Sequence, residues 1–268
     1  MVELTELVAI RGGGDIATGV IQKFVRSGIK IIVLEIEKPL AIRRSVALCE
    51  AVYEGRTAIE DICGERIADL SELDDCVRRG SIPILIDPEG ASIAHLKPAA
   101  VIDATLAKRN LGTRKDMAPV TIALGPGFHA GTDVHAVIET MRGHDLGRLI
   151  VQGSALPDTG MPGEVGGESD QRVAHAPVEG EMCHIRCIGD VVDAGEAICR
   201  VSDTVVTAPF RGLLRGLLHD GLQVQVGMKI ADIDPRLDVD WRTISDKARC
   251  LGGAALEAYF YLRRSTLA

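Results

Sequence analysis

The N-terminal part of the chain alternates between short apolar runs and an amphipathic stretch. Residues 7–10 are apolar and stop at a glycine cluster, a pattern typical of a buried parallel strand. Residues 15–27 carry apolar side chains at helical spacing and are followed by Gly28, which suits a helix C-cap. Residues 29–35 form a second run dominated by Ile and Val. The pattern predicts a β–α–β unit with the glycine cluster in its first turn.

The same rhythm continues further along the chain. Apolar runs that end in small, polar or turn residues predict more strands at 81–87, 100–103, 120–124 and 149–151. Helical spacing between them predicts helices at 71–79 and 132–142. Alternating strands and helices indicate an open, mostly parallel sheet of the Rossmann type, with helices on both faces. In such a sheet the ligand lies beyond the carboxyl ends of the strands.

The composition changes at residues 153–167, where glycine, proline, serine and acidic residues predict a linker. Residues 176–235 then contain two similar halves. In each half an Ala-Pro-x-x-Gly, beginning at Ala176 or Ala208, is followed by Gly-x-x-Val-x-x-Gly-x-x-Ile. Short strands and glycine turns that occur twice indicate two intertwined β-halves.

This repeat resembles the biotinyl/lipoyl domain family, a small flattened β-barrel. In that family a lysine on the hairpin between the two halves is modified. The hairpin here, residues 201–205, contains no lysine, and Lys229 lies inside the second half. The sequence therefore predicts a structural or docking barrel that carries neither biotin nor lipoate.

Together these patterns predict an α/β protein in three parts. The first is a Rossmann-like nucleotide-binding domain at 1–165, and the second is a small all-β, biotinyl/lipoyl-like barrel at 173–236. A C-terminal helix at 243–264 is capped by Ser245-Asp246 and packs back on one of the domains.

The candidate binding site is the turn Gly12-Gly13-Gly14, where Gly12-x-Gly14-x-x-Ala17 matches the dinucleotide-binding fingerprint. Gly12 permits the tight turn, Gly14 lets the backbone approach a pyrophosphate, and Ala17 lets the helix press on the sheet. The helix N-terminus offers N–H groups and a partial positive charge to the phosphates. Glu35 follows at about 20 residues, where a ribose-binding carboxylate is expected. A glycine turn that only packs is the alternative.

Further candidates surround the turn. Asp15 either caps the helix or binds a magnesium ion shared with a phosphate. Arg43 contacts a phosphate, selects a 2′-phosphate, or is simply exposed. Asp103 and Thr105 end one predicted strand, and residues 125–127 end the next in a second anion-binding turn. The predicted cofactor-binding residues are Gly12, Gly13, Gly14, Asp15, Ala17, Thr18, Glu35, Arg43, Asp103, Thr105, Gly125 and Gly127.

Cys49 is the candidate catalytic residue, as a carrier of sulfur or selenium. That role requires an accessible thiolate with a lowered pKa, and a buried structural cysteine is the alternative. No metal site is predicted. His129 and His135 flank one turn with a single aspartate, and Cys183-His184-x-x-Cys187 supplies too few ligands for zinc.

Composition restricts the class of protein. The net charge of −8 and the pI near 5.4 argue against a nucleic-acid partner. No stretch approaches the roughly 18 apolar residues that a membrane span needs, and the first residues lack the basic region of a signal peptide. Seven scattered cysteines indicate reduced thiols. These features predict a soluble, cytoplasmic protein.

Several stretches together resemble one family. They are residues 11–19 (RGGGDIATG), 43–44 (RR), 50–55 (EAVYEG), 124–128 (LGPGF), 133–140 (DVHAVIET) and the terminal helix with its Gly252-Gly253. The chain is similar to the YqeB-type accessory proteins of selenium-dependent molybdenum hydroxylases. The Rossmann part of those proteins is similar to that of the XdhC molybdenum-cofactor chaperones.

The resemblance implies a role in maturation, in which the chain helps to modify or insert the molybdopterin cofactor of a client hydroxylase such as xanthine dehydrogenase. A molybdopterin cytosine dinucleotide carries the same pyrophosphate as NAD(P), so the glycine turn suits either ligand. An NAD(P)-dependent oxidoreductase is the alternative, although the sequence shows no convincing Tyr-x-x-x-Lys or His-Asp pair. The resemblance favours a cofactor-handling accessory protein over a stand-alone catalyst and leaves homo-oligomer formation open.

Overall fold

A computed structural model describes residues 6–160 and 172–266, and its contacts divide the chain into two compact units. The first unit comprises Met1–Pro39, Ala47–Asp158 and Ile244–Ala268. The second comprises Leu40–Val46 and Thr159–Thr243. The division between Asp158 and Thr159 falls inside the predicted linker, whose residues 161–167 lie outside the described residues.

The first unit is built on a large sheet. Its strands are β1 (Leu7–Arg11), β2 (Lys30–Glu35), β3 (Arg56–Ile59), β4 (Ile62–Ile67), β5 (Ile82–Ile86), β6 (Ala100–Asp103), β7 (Val120–Leu124), β8 (Ala136–Ile138) and β9 (Leu149–Ile150). The order across the sheet is β3-β4-β5-β2-β1-β6-β7-β8-β9. All neighbours pair in parallel except β3 with β4 and β8 with β9, at the two edges. The prediction of a mostly parallel sheet is therefore confirmed.

The strand order reverses direction at β1. From β1 the chain moves to β2 on one side, and it later returns to pair β6 with the other side of β1. Such a reversal leaves a crevice at the carboxyl ends of the two strands, because the connections on either side run in opposite directions. The glycine turn follows β1 directly and so lies at this crevice.

Helices cover both faces of the sheet. They are α1 (Asp15–Arg26), α2 (Ala51–Glu54), α3 (Leu73–Arg78), α4 (Ile93–Leu96) and α5 (Asp246–Thr266). One face is buried under α3 and α4, where Cys76 and Ile93 pack with Ile32 and Val101. On the other face α5 packs on α1 and on strands β7 and β8. Within the described residues no helix is long and apolar enough to cross a membrane.

Helices α1 and α5 run side by side in the same direction. Near their starts, a Cβ atom on Gly19 would overlap the backbone of Ala248, and one on Gly252 would overlap the carbonyl oxygen of Gly19. Further along, the rings of Phe24 and Tyr259 lie 5.5 Å apart. Because neither glycine has a side chain, the backbones of the two helices come into contact. Both helices begin at the carboxyl edge of the sheet.

The second unit consists of two four-stranded sheets, and both halves of the repeat contribute strands to each sheet. Its strands are β10 (Val173–His175), β11 (Gly180–His184), β12 (Val191–Val192), β13 (Ala197–Val201), β14 (Thr204–Thr207), β15 (Gly212–Leu217), β16 (Gln223–Val224) and β17 (Lys229–Asp234). One sheet has the order β10-β17-β15-β12, and the other has the order β14-β13-β11-β16. Each sheet takes two strands from each half, which confirms the predicted intertwining. Residues 201–204 form the hairpin between the halves, as predicted.

One predicted element is wrong. Residues 132–142 were expected to be helical, but residues 136–138 are strand β8, paired in parallel with β7. All three residues of β8 are buried, so the apolar run fills both faces of the sheet rather than one face of a helix. Asp133 does not cap a helix, because its carboxylate accepts a hydrogen bond from the His129 N–H and closes a turn.

Candidate functional site

The candidate site lies where the parallel strands end around the glycine turn. Gly12 has φ +89°, and a Cβ atom there would lie 3.1 Å from the backbone of Thr105, which follows β6. Ala104 N–H donates to the Arg11 carbonyl, so the ends of β1 and β6 remain paired up to the turn. The structure therefore brings together Gly12 and Thr105, two predicted site residues far apart in the sequence.

Gly13 faces into the protein. Its N–H donates a 2.7 Å hydrogen bond to Glu35 Oε2, and its carbonyl accepts a 2.8 Å hydrogen bond from the Cys49 N–H. A Cβ atom on Gly13 would lie 3.0 Å from the Cys49 nitrogen. The absence of a side chain at Gly13 thus lets residues 47–50 pack against the turn. The Gly13 N–H already has a hydrogen-bond acceptor.

Gly14 is the open glycine of the turn. A Cβ atom built on it meets nothing within 4 Å, and its φ of −64° is ordinary for any residue. It occupies the N-cap position of α1 without a side chain to cap the first turn. The first N–H groups of a helix have no partner within the helix, and the open space at Gly14 lies directly before them.

The start of α1 is firmly anchored behind this opening. Thr18 Oγ1 donates to the Gly14 carbonyl at 2.9 Å and accepts a 3.0 Å hydrogen bond from the Leu48 N–H. Ala17 is completely buried, as the fingerprint requires, whereas Asp15 is half-buried at the edge. Thr18 therefore holds the turn in place from inside the protein.

Glu35 lies beside the turn, as its position in the sequence predicts. Its Oε1 accepts a hydrogen bond from the Ile36 N–H, and its Oε2 accepts the one from Gly13. The side chain is 8% exposed. Burial raises the pKa of the Glu35 carboxyl, although the two backbone hydrogen bonds oppose this effect. In this structure the carboxylate supports the glycine turn.

Asp103 belongs to a buried polar cluster beneath the site. Its Oδ1 accepts hydrogen bonds from the Thr105 N–H and hydroxyl, and its Oδ2 accepts one from the Thr113 hydroxyl. The Arg11 guanidinium lies 3.7 Å from the same carboxylate and also donates to the carbonyls of Pro88 and Leu111. With Asp103 only 1% exposed, its role here is to position the loop that carries Thr105.

The second glycine turn, residues 125–127, is packed against protein. A Cβ atom on Gly125 would lie 2.7 Å from Thr140 Oγ1. One on Gly127 would lie 2.5 Å from the Arg109 Cα atom. Both positive φ values, +82° and +102°, also favour glycine. Gly125 is thus packed against the Thr140 side chain and Gly127 against the backbone of residues 108–109, and anion binding by this turn stays a prediction.

Cys49 does not have the environment that a sulfur or selenium carrier needs. Its thiol is 1% exposed. Burial raises its pKa well above the ordinary value, and the charges of Glu35, Glu50 and Asp15 raise it further. A thiolate is disfavoured there, because negative charges surround a site with little water. Cys49 is thus a buried thiol in this structure, and its role as a sulfur or selenium carrier stays a prediction.

Arg43, His135 and His184 are other side chains that the sequence singles out. Arg43 falls in Leu40–Val46, which belongs to the second unit, and it is half-buried there. His135 Nδ1 is hydrogen-bonded to Thr121, and burial lowers the His135 pKa. His184 Nε2 contacts the Leu218 carbonyl oxygen. The contacts of both histidines are those of structural side chains.

Lys247 is a half-buried charged residue that the sequence interpretation did not single out. Ser245 Oγ accepts a hydrogen bond from the Ala248 N–H and so caps α5, which places Lys247 in the first turn of that helix. A cation there is unfavourable, because the helix N-terminus is itself positive. Burial lowers the pKa of the half-buried Lys247, and Arg142 lowers it further, while Asp15 and Glu139 oppose this effect. A lysine two residues after a helix cap was the available signal.

Comparison with known proteins supports one similarity. No family model matches the chain. It is 48% identical over 258 residues to the protein described as "Uncharacterized protein YqeB" of Escherichia coli (strain K12). The match covers 96% of this chain and 48% of the relative, so the chain spans about half the length of that protein.

Solved structures give only remote likenesses. One is the product-bound ectoine utilization protein EutE (DoeB) from Ruegeria pomeroyi, at 13% identity and a TM-score of 0.24, covering 85% of this chain and 57% of that one. Another is an aspartoacylase family protein from Mesorhizobium loti, at 12% identity and a TM-score of 0.25, covering 85% and 84%. TM-scores this low carry no argument about fold or activity. The similarity that supports an argument is the sequence similarity to the YqeB protein.

Proposed function

We propose that the first unit is a Rossmann-type domain that binds the phosphates of a nucleotide at the Gly14 side of the glycine turn. The observation that carries the proposal is the open space at Gly14, directly before the N-terminus of α1 and at the strand-order reversal. Helix N-termini at such reversals bind phosphates through accessible N–H groups and the helix dipole. The strand order β5-β2-β1-β6-β7-β8 also supports the Rossmann interpretation.

The contacts of Glu35 affect how the ribose of a bound nucleotide would be recognised. In an NAD site the corresponding carboxylate binds the ribose hydroxyls. Here each oxygen of Glu35 already accepts a backbone N–H, and the side chain is buried. A molybdopterin cytosine dinucleotide carries the same pyrophosphate and also a nucleoside ribose, so the contacts of Glu35 do not distinguish it from NAD(P). We favour the pterin dinucleotide because of the resemblance to accessory proteins of molybdenum hydroxylases.

The biological role that we propose is that of an accessory factor for a selenium-dependent molybdenum hydroxylase, to which the chain presents or modifies the cofactor. The support is the similarity to a YqeB protein together with the resemblance described above. The second unit serves this role as a docking module of the biotinyl/lipoyl type. Its hairpin offers Ser202 and Asp203 where a carrier domain would need a lysine.

A pair of glycine substitutions tests the site. Gly14→Ala places a methyl group in open space, so the fold remains stable while a bound phosphate loses its access to the backbone. We expect calorimetric affinity for cytidine diphosphate to fall about 10-fold or more, the equivalent of about 1.4 kcal/mol. Gly13→Ala is the matched contrast: its methyl group meets Cys49, so we expect about 1–3 kcal/mol of destabilisation.

The ligand itself is tested by mass spectrometry of the small molecules that co-purify with the chain. We expect a pterin dinucleotide, and stronger binding of cytidine diphosphate than of NAD⁺. Tight binding of NAD(H) without affinity for a pterin or cytidine nucleotide would refute the proposal and favour the oxidoreductase. Unchanged affinity in Gly14→Ala would refute the site.

A further inference from the structure

Helix α5 brings a basic side chain to the same edge as the glycine turn. Ala248 lies against Gly19, one turn into α1, and the two helices run in the same direction. Lys247 precedes Ala248 and so belongs to the turn of α5 that packs beside the first turns of α1. The electrostatic influence of Asp15 on Lys247 agrees with this placement.

The charged groups around Lys247 are mostly engaged elsewhere. Arg142 donates two hydrogen bonds to the Asp246 carboxylate, at 3.0 and 3.1 Å. The two oxygens of Glu139 accept hydrogen bonds from the N–H groups of Met141 and Leu156. With the residues that the structure describes, the Lys247 ammonium itself makes no hydrogen bond or ion pair.

We propose that Lys247 is a binding residue for the phosphate-bearing ligand and contacts its pyrophosphate from α5 while the N-terminus of α1 contacts it from the other side. This inference rests on the nucleotide site proposed above. A half-buried ammonium without a partner is costly, and an anion bound beside it would offset that cost. The lowered pKa of Lys247 agrees with the lack of a partner.

The proposal also accounts for the parallel arrangement of the helices. The backbone contact at Gly19 and Gly252 fixes α5 lengthwise along α1. It places the Lys247 ammonium within electrostatic range of Asp15 and Glu139. In this arrangement α5 adds a cation to the edge of the sheet at which α1 begins.

Calorimetry with cytidine diphosphate and three variants tests the contact. We expect Lys247→Gln to weaken binding by about 10- to 100-fold, because it removes a charge-assisted hydrogen bond. We expect Lys247→Arg to restore most of the affinity. Lys30→Gln is the matched control, because Lys30 is exposed at the amino end of β2, away from the carboxyl edge. Far-UV circular dichroism should show the same unfolding midpoint in all variants.

A second measurement reports on the Lys247 side chain directly. Inorganic pyrophosphate and cytidine diphosphate should each slow the acetylation of Lys247, measured by peptide mass spectrometry, while Lys30 reacts at an unchanged rate. If cytidine diphosphate binds wild type and Lys247→Gln equally and leaves Lys247 reactive, the Lys247 contact is refuted and the nucleotide site stands. If pyrophosphate alone protects Lys247, the anion contact stands and the nucleotide site fails. If neither anion binds or protects, both fail.

Discussion

At the scale of single residues, the three glycines of the turn differ in what surrounds them. Gly12 lies against the backbone of Thr105, Gly13 lies against Cys49, and Gly14 has open space where a Cβ atom would be. A Cβ atom would meet different surroundings at each position. The three glycines therefore have different roles although they are the same residue type. Buried polar groups then hold the turn rigid, with Glu35 on the Gly13 N–H and Asp103 on the loop of Thr105.

A residue-scale prediction concerns Asp234 in the second unit, which is completely buried beside Arg215 and Arg236. Burial raises its pKa, but the hydrogen bonds from Arg236 and the charges of both arginines outweigh this effect and lower it below 3.8. A lowered pKa means that the stabilisation is present above pH 3.8 and is lost as the pH falls through the folded value.

We therefore expect Asp234→Asn to lower the free energy of unfolding by about 1–3 kcal/mol at pH 7, because it removes the charge from the buried ion pairs with Arg215 and Arg236, although Arg215 keeps its pair with Asp232. The cost should shrink below pH 3.8. Fluorescence of Trp241, the single tryptophan, reports urea unfolding of this unit, where it contacts Gly189. Asp193→Asn, which breaks an exposed pair with Arg211, should change the midpoint little. A pH-independent cost would contradict the assignment.

At the scale of elements, the pair α1 and α5 links the two ends of the chain. Helix α1 belongs to the first β–α–β unit, and α5 follows the entire second unit in sequence. Their contact depends on small residues, and it continues to Tyr259, whose hydroxyl donates to Glu6 at 3.1 Å. The position of Lys247 at the carboxyl edge is a consequence of this packing.

Two adjacent glycines of α5 allow a matched test. Gly252→Ala forces a methyl group into the Gly19 carbonyl, so we expect it to lower the free energy of unfolding by about 1–3 kcal/mol. At Gly253 a Cβ atom meets nothing within 4 Å, so Gly253→Ala should raise it by up to about 1 kcal/mol through helix propensity. Urea unfolding followed at 222 nm measures both changes. Equal effects would show that the close helix contact does not form.

At the scale of the whole molecule, the chain combines a parallel α/β unit with an interlocked β unit of two halves. The halves exchange strands so that each four-stranded sheet contains both. This arrangement explains why the repeat is visible in sequence: both halves must fulfil the same turn and core requirements. The β unit has a buried apolar core of its own, which includes Met182, Ile198, Leu214 and Ile230.

The hairpin of the β unit leads to a prediction for the intact protein. A carrier domain attaches its cofactor to a hairpin lysine, and residues 201–205 provide none. We therefore expect intact-mass measurement of protein from its native host to show no biotin or lipoate. Purification without heterologous overexpression makes the result meaningful, because attachment enzymes are then not limiting. A mass increment equal to either cofactor would contradict the docking role.

The elements that sequence could predict are those whose local pattern matches their burial. The runs at 7–10, 82–86, 100–103 and 120–124 are strands with continuous burial, and α1 follows its apolar spacing. The failure at 132–142 has the same origin, since a short apolar run suits either a buried strand or a helix. Pairing with β7 decided the outcome there, and pairing between distant segments is not encoded in a local pattern.

The sequence by itself determined the glycine turn, the mostly parallel sheet and the two-fold repeat, because spacing and turn residues fix these features locally. Only the tertiary structure decided which glycine is open, that Cys49 is buried, and that Glu35 supports the turn. It also decided that Lys247 reaches the same edge. Burial and neighbouring charge set these properties, and they arise only when distant segments pack together.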